Sequence, residues 1–226
     1  MQAPPSFRDL SLAAFSERLA SPDPVPGGGS ASAVAAALGA SLVAMVATLT
    51  QGRPKYAQHA ALCDEVAPAA KALADELLEL ADEDARAYAA CAIALKLPRD
   101  AFADKEFRDA QVRATAQVAA EVPLRCVERC LDALRLAEAL AGRSNVNASS
   151  DLRVASLLLE AAADGAAANV LVNLPLIGRT DWTAGTEVRV RDLLAEAATL
   201  AKATRAVVAG GEARSPLSDI VVWQRS

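Results

Sequence analysis

The chain has 226 residues, enough for one large domain with a substantial core. Hydrophobic residues make up 53% of it but aromatic residues only 4%, so the core must consist of small and aliphatic side chains, chiefly alanine. Because alanine is the best helix former, this composition favours an all-α fold. The net charge of −5 and the lack of a basic stripe with interleaved aromatics argue against nucleic-acid binding.

The four cysteines fall in helical patterns, where a thiol packs as a small hydrophobic group: Cys63, Cys91, Cys126 and Cys130. Cys126 and Cys130 are four positions apart. Without a nearby histidine or second cysteine pair, however, they do not predict a metal site. Since the N-terminus also lacks the order of a signal peptide, we expect a reduced, cytoplasmic protein.

The first predicted helix covers residues 7–20, with Ser6 as its N-cap. Residues 21–29 contain three prolines and three glycines and therefore form a loop. Ser30 is predicted to cap the second helix, which carries no charge over residues 31–50. That length would span a bilayer. Alanine, serine and glycine gain little from lipid, so the better interpretation is a buried central helix.

Four further helices are predicted over residues 57–97, 101–141, 151–172 and 187–208. Pro68 is expected to kink or interrupt the first of these and Pro123 to bend the second, and residues 174–184 are expected to form a loop. The prediction is a single domain of about six helices, including long and Ala-rich buried ones, that dimerises. Residues 210–226 would be a loosely attached tail, with 220–223 either pairing as a short strand or simply packing.

Polar residues on apolar helix faces are the best candidates for function. The apolar seam of the third helix passes through Leu77 and Leu80 and then reaches Asp84 and Tyr88. A carboxylate on a buried stripe is costly unless it is paired, protonated or used in chemistry. Asp84 is therefore either a functional group or a rim residue that reaches water or an arginine.

More polar residues stand at both ends of the fifth helix. Ser149 or Ser150 is predicted to cap it, with Asp151 in its first turn. Capping does not explain the amides that accompany them: Asn145, Asn147, Asn169 and Asn173. Residues 151 and 169 are about five turns apart on one face, a distance of about 27 Å. These groups would flank a long ligand or two separate sites, or only cap loops.

Two further features carry less information. The Pro26-Gly-Gly-Gly-Ser30 segment runs into a helix, where exposed backbone N–H groups can bind an anion. It lacks the Gly-Lys-Ser/Thr ending of a phosphate-binding loop, so nucleotide binding does not follow, and it is otherwise a sharp corner. The single histidine, His59, is expected at the surface, with no catalytic set around it.

Three motifs occur in order: Ser21-Pro22…Pro24…Pro26-Gly-Gly-Gly-Ser30; Asp82-Glu-Asp-Ala-Arg-Ala-Tyr88 followed by Leu97-Pro98; and Asn145-Val-Asn-Ala-Ser-Ser-Asp151 leading to Gly165, Asn169 and Asn173-Leu174. Over about residues 8–175 the chain thereby resembles the cyclodeaminase/cyclohydrolase family of folate enzymes. This is the family of the C-terminal domain of formimidoyltransferase-cyclodeaminase.

The resemblance implies an all-helical dimer that holds a tetrahydrofolate derivative in a cleft near the subunit interface, with no permanently bound cofactor and no nucleic acid or membrane partner. It implies that 5-formimidoyltetrahydrofolate is cyclised to 5,10-methenyltetrahydrofolate with loss of ammonia. A carboxylate would move the proton, Asp151 being the first choice and Asp84 the second. The implied substrate-binding residues are Gly27, Gly28, Gly29, Ser30, Tyr88, Asn145, Asn147, Ser150, Asn169 and Asn173.

Two alternatives stay open. A methenyltetrahydrofolate cyclohydrolase would use the same bound cation, with water in place of ammonia. The second alternative is a non-catalytic helical dimer that binds folate or assembles with a partner. This alternative is suggested by Ser144 and Gln117, which stand where the family often has glycine and lysine.

Overall fold

The structure, a computed structural model, describes residues 6–217. Over this range it contains six α-helices and no strand, which confirms the predicted all-α fold. The helices are α1 (Leu12–Leu19), α2 (Gly28–Thr50), α3 (Ala60–Leu95), α4 (Phe102–Leu140), α5 (Ser149–Ile177) and α6 (Asp181–Gly210). Short 3₁₀ helices cover Phe7–Asp9, Pro54–His59 and Val146–Ala148. The expected strand or packed segment at 220–223 lies outside the described residues.

Helix α2 packs against α3, α4 and α5 but keeps one face exposed, at Leu38, Met45 and Leu49, so it is not the fully buried helix that was predicted. Small side chains allow close contact between these helices. A Cβ atom at Gly39, for example, would lie only 2.7 Å from Cγ of Leu159 on α5. The segments Gly28–Thr50 and Val146–Ile177 are long and apolar enough to cross a membrane, but the most apolar part of each is about half buried inside the domain, at 50% and 44%. Core helices of a folded bundle can be just as long and apolar, so length and hydropathy are weak evidence for a membrane span.

The direction of the helices determines which residues meet. Gly28, at the start of α2, lies beside Asn169 near the end of α5. At the other end of α2, the backbone N–H of Asn145 donates to Oγ1 of Thr50 at 2.9 Å. Helices α2 and α5 are therefore antiparallel, and the polar groups that flank α5 lie at opposite ends of α2.

The N-terminal segment and α2 begin differently from the prediction. Ser6 does not cap a helix, because its hydroxyl donates to Asp82 and so ties the segment to α3. Helix α1 begins later and is capped by Ser11, whose Oγ accepts from the N–H of Ala14 at 3.1 Å. Helix α2 starts at Gly28 with Gly27 as the N-cap residue, which places Ser30 inside its first turn.

The predictions for α5 and the loop after it were wrong at both ends. Ala148 occupies the N-cap position, so neither Ser149 nor Ser150 caps the helix. The predicted loop at 174–184 is mostly helical. Helix α5 continues through Pro175 to Ile177, and α6 begins at Asp181 after a break at Gly178, whose φ is +92°. Glycine tolerates this positive φ. Pro175 removes one backbone N–H donor from the last turn of α5, yet the helix continues through it.

Three further expectations need correction. Helices α3 and α4 are continuous through Pro68 and Pro123, so Pro68 does not interrupt its helix. His59 is not a surface residue, since its side chain is buried beneath the start of α3. The first part of the predicted loose tail is held down. The N–H of Arg214 donates to the Gly142 carbonyl at 2.8 Å, and Nε of Arg143 donates to the carbonyl of Ser215 at 2.6 Å.

Candidate active site

A pocket of about 350 Å³ opens where the start of α2 meets α3, α4 and the end of α5. Its wall contains seven residues that the sequence predicted: Gly27, Gly28, Gly29, Asp84, Tyr88, Asn169 and Asn173. The other wall residues are apolar and were not predicted as site residues, although Pro24 belongs to the first sequence motif: Pro24, Val25, Ala119, Val172 and Leu176. Within the described part of the chain, Asp84 is the one charged residue of this wall.

Asp84 is held against the first turn of α2. The Ser30 hydroxyl lies 3.0 Å from Oδ2 of Asp84 and donates to it. A Cβ atom at Gly29 would lie 2.2 Å from Oδ1, so only glycine lets the carboxylate come this close. Burial raises the pKa of Asp84, while hydrogen bonds from the hydroxyl and backbone N–H of Ser30 oppose the rise. The carboxylate on the apolar seam is thus paired with a helix start rather than with an arginine.

Asn169 and Asn173 offer this pocket mainly oxygen atoms. Nδ2 of Asn169 donates to the Gly165 carbonyl at 2.8 Å. Nδ2 of Asn173 donates to the carbonyls of Asn169 at 2.8 Å and Ala119 at 3.1 Å. Both amide hydrogens of Asn173 and one of Asn169 are therefore used. Together with Asp84, the two side-chain oxygens make the wall rich in hydrogen-bond acceptors.

The remaining predicted site residues belong to the other end of the molecule. Asn145 is buried, and its Oδ1 accepts from the N–H of Asn147 at 3.2 Å. Ser150 and Asp151 follow in the first turn of α5. Helix α2 has 23 residues, which corresponds to about 33 Å between its ends. Within one chain, the structure therefore does not bring these four residues to the Asp84 pocket.

A smaller cavity of about 160 Å³ lies beside Asn145. Lys55 and Tyr56 form part of its wall, and Tyr56 also fixes the turn, because its hydroxyl accepts from the N–H of Val146 at 3.0 Å. Neither residue was singled out in the sequence, where the aromatic side chain is two residues after a proline in a polar segment. The pKa of the nearby His59 is lowered by burial and by the positive charge of Arg143.

The cysteines pack inside the domain as buried thiols. All four are free and buried. Burial and the charge of Asp64 raise the pKa of Cys63 to about 11, and the pKa of Cys130 lies well above its ordinary value because Cys126 hydrogen-bonds to it and both are buried. Among residues 6–217, no three His, Cys, Asp or Glu side chains gather as a metal site would require.

Known proteins share both the sequence and the fold. The family model for formiminotransferase-cyclodeaminase matches residues 11–192. Rat formimidoyltransferase-cyclodeaminase is 37% identical over 169 residues, which are 75% of this chain and 31% of the rat protein. Methenyltetrahydrofolate cyclohydrolase of Methylorubrum extorquens is 37% identical over 163 residues, which are 72% of this chain and 78% of that enzyme.

The crystal structure of formiminotetrahydrofolate cyclodeaminase from Thermotoga maritima has the same fold. It superposes with a TM-score of 0.82 at 24% identity, over 90% of this chain and 98% of the other. The present chain spans about a third of the rat protein's length but most of the Methylorubrum enzyme's. The extent of the family match and the identity to these relatives show that the chain belongs to the formiminotransferase-cyclodeaminase family.

Proposed function

We propose that the protein is a folate one-carbon enzyme that converts 5-formimidoyltetrahydrofolate to 5,10-methenyltetrahydrofolate and releases ammonia. The observation that carries the proposal is the acceptor-rich pocket, in which the carboxylate of Asp84 stands with the amide oxygens of Asn169 and Asn173. The protonated formimidoyl group and the methenyl product are both cations, and a buried carboxylate with neighbouring carbonyl oxygens favours both. The names of the relatives point to the same chemistry.

The size of the pocket suits one end of the substrate. A cavity of about 350 Å³ is at the lower end of the range for small-molecule sites, about 300–1,000 Å³. It would hold the reduced pterin with its one-carbon group, while the rest of the folate extends outward. Tyr88 stands at the mouth with 48% of its surface exposed, so its ring is available for stacking on the ligand.

The reaction requires one proton to change places. N10 attacks the amidine carbon, the five-membered ring closes, and the bond from that carbon to the departing nitrogen breaks. Asp84 takes the proton from N10 and gives it to that nitrogen, which leaves as ammonia. A raised pKa brings the carboxyl nearer to the working pH, where such a group is most effective, and this step contributes about 10²–10⁴-fold. Alignment of N10 with the carbon can supply about 7–11 kcal/mol.

The test compares two neighbouring carboxylates of α3. Asp84→Asn should lower kcat by about 10²–10⁴-fold and leave folate binding largely intact. Glu83→Gln is the matched control, since Glu83 pairs with Arg125 outside the pocket. Ammonia release from 5-formimidoyltetrahydrofolate is the assay. Normal turnover by Asp84→Asn would remove Asp84 from the mechanism, and the absence of turnover by the unmodified protein would remove the cyclodeaminase proposal.

A second candidate is methenyltetrahydrofolate cyclohydrolase, in which water adds to the cationic carbon, a proton leaves and the ring opens. The specific observation in its favour is the Methylorubrum relative, 78% of whose length is matched, against 31% for the rat protein. Hydrolysis of methenyltetrahydrofolate by the purified protein, without ammonia release in the other assay, would establish this alternative. Tight folate binding without turnover in either assay would instead indicate a binding or assembly protein.

We also propose a homodimer formed through α2. This helix has no charged residue, yet one of its faces is open, with Leu38, Met45 and Leu49 each at least 38% exposed. Uncharged exposed stripes of this kind usually mark protein interfaces. A second copy related by a two-fold axis across the middle of α2 would cover the stripe with its own equivalent.

Such a dimer would complete the active site. An antiparallel pair of α2 helices brings the start of one beside the end of its partner, and hence the Asp84 pocket beside the partner's segment 145–151. In this arrangement Asp151 supports the reaction from the neighbouring subunit, and Asn145, Asn147 and Ser150 contact the outer part of the folate. The one-chain distance of about 33 Å is then no obstacle, since the two groups of residues belong to different chains.

Mixed dimers test this arrangement directly. Asp84→Asn and Asp151→Asn are each expected to be inactive alone. When the two variants are mixed and exchange subunits, half of the dimers carry one variant of each kind and have one intact site, so about a quarter of the wild-type activity returns. Mixing would restore nothing if each site used residues of one chain only, and a monomer in solution would refute the dimer itself.

We further propose that the protein is cytoplasmic and needs no resident cofactor. Four free, buried thiols fit a reducing compartment. Ring closure with loss of ammonia forms one C–N bond, breaks another and moves one proton, with no redox step, so the side chains described above suffice. Full activity after exhaustive dialysis against a chelator is the expected result, and its loss would contradict the proposal.

A further inference from the structure

The hydroxyl of Ser30 lies between two acceptors. Its oxygen is 3.0 Å from the carbonyl of Ala81 and 3.0 Å from Oδ2 of Asp84, and the side chain is completely buried. A serine hydroxyl has one hydrogen and two lone pairs, so it can donate to only one of these groups at a time. Ser30 therefore has two possible arrangements without any movement of its heavy atoms.

Each arrangement fits one protonation state of Asp84. When the carboxylate is ionised, Ser30 donates to it, and the Ala81 carbonyl retains its ordinary helical partner one turn later in α3. When Asp84 is protonated, its O–H donates to the Ser30 oxygen, and the serine hydrogen turns to the Ala81 carbonyl. In both states every donor has an acceptor, and the position of the carboxyl group does not change.

Other charges near Asp84 are occupied or distant, which leaves Ser30 as its principal partner. On α3, Asp82 accepts hydrogen bonds from Ser6 and the N–H of Phe7, and Glu83 pairs with Arg125 of α4. Glu121 of α4 accepts from Gln117 at 2.9 Å. The neighbouring parts of α2 and α5 contribute glycine, serine and asparagine, and the phenol of Tyr88 is the other titratable group of the pocket wall.

We propose that Ser30 is a positioning residue that reverses its hydrogen bond as the proton enters and leaves Asp84, so that the carboxyl group stays aligned in both states. This inference rests on the proposed function only in giving that proton a purpose. The opposing effects of burial and of the Ser30 hydrogen bonds on the Asp84 pKa support it. A fixed donor such as a lysine would favour one protonation state, whereas a hydroxyl serves both.

The experiment measures the titration of Asp84 in the folate-free protein, by carboxyl carbon NMR with Asp84→Asn to assign the signal. Ser30→Ala should raise the Asp84 pKa, because the ionised form loses its donor, and should shift the acidic limb of the kcat/KM profile to higher pH. Ser30→Thr retains the hydroxyl and should bring both values back toward those of the wild type. If the Ser30→Thr protein does not fold, Ser30→Cys takes its place. Because a thiol is a weak donor, the Asp84 pKa in Ser30→Cys should lie between the values for the wild type and for Ser30→Ala.

Ser156→Ala is the matched control. Its hydroxyl is equally buried in a helix but donates only to the Arg153 carbonyl, so its loss should leave the Asp84 pKa unchanged. An unaltered Asp84 titration in Ser30→Ala, with activity reduced equally at all pH values, would overturn the inference and leave Ser30 a purely structural residue. Because the titration needs no folate, a shifted pKa in a protein without turnover would refute the proposed function and not the role of Ser30.

Discussion

The substitution Gly29→Ala tests whether catalysis depends on the approach of Asp84 to the start of α2. The new Cβ atom would lie 2.2 Å from Oδ1 of Asp84, and ordinary contact begins at 3.4 Å, so the carboxylate must retreat by about 1.2 Å (3.4 − 2.2). A displacement of about 1 Å can cost about 10²-fold in rate, and we expect that loss in kcat/KM. This corresponds to about 2.7 kcal/mol of transition-state stabilisation.

The effect on stability should be small by comparison. Crowding at a packed position costs about 1–3 kcal/mol, and replacing a helical glycine with alanine returns about 1 kcal/mol. A domain with a typical stability of about 5–15 kcal/mol stays folded after such a change. Circular dichroism and thermal melting of Gly29→Ala should therefore show a native helical protein.

The comparison with other glycines isolates the geometric cause. At Gly27 the added Cβ would lie 3.5 Å from the carbonyl oxygen of Pro24, an ordinary contact, so the activity of Gly27→Ala should fall much less. At Gly185 on α6 nothing lies within 4 Å, and Gly185→Ala should leave turnover unchanged. Normal turnover by a folded Gly29→Ala would refute the argument that the position of Asp84 limits the reaction.

Three further predictions concern stability and reactivity. Because burial raises the pKa of Asp84, the folded protein binds this proton more tightly than the unfolded chain does. The stability of the wild type therefore falls as the pH rises from the unfolded pKa of about 3.9 through the folded pKa. Asp84→Asn lacks this loss, so its melting temperature should rise relative to that of the wild type as the pH increases, and a difference that stays constant with pH would contradict this. With a pKa of about 11, Cys63 is only about a thousandth thiolate at pH 8, so iodoacetamide should label it only on unfolding, as mass spectrometry would report. In urea titrations, Gly39→Ala should lower the free energy of unfolding by about 1–3 kcal/mol, because its Cβ meets Leu159. The exposed Gly185→Ala should raise it by about 0.5–1 kcal/mol. Equal effects of the two substitutions would refute the packing argument.

The sequence alone predicted the helices and the unusual carboxylate. Ala-rich composition and the spacing of apolar residues are local signals, because a helix repeats every 3.6 residues wherever it later packs. The same periodicity led from Leu77 and Leu80 to Asp84, and the structure has Asp84 in a pocket wall. The glycine-rich turn and the unexplained asparagines were also singled out in the sequence, and the family resemblance joined Gly27 to Gly29, Asn169 and Asn173 into one predicted site; all of them line the same pocket.

Helix ends were less predictable, because they depend on competing partners. Ser6 has a good capping side chain, but Asp82 of α3 takes its hydrogen bond. Residues 174–184 were predicted to form a loop, yet α5 continues through Pro175 to Ile177 and the break comes at Gly178. His59 carried no apolar pattern of its own, and its burial follows from the way a short 3₁₀ helix packs beneath α3.

Tertiary structure alone decided which polar residues meet. Asn145 precedes α5 and Asn169 lies near its end, and the two look alike in sequence, but the antiparallel packing of α2 takes one to Thr50 and the other to Gly28. Ala-rich faces are so similar to one another that no local pattern specifies which helix packs against which, or in which direction. Sequence periodicity thus determined where each helix has its apolar and polar sides, whereas the packing of whole helices determined that Gly29, Asp84 and Asn169 belong to one pocket.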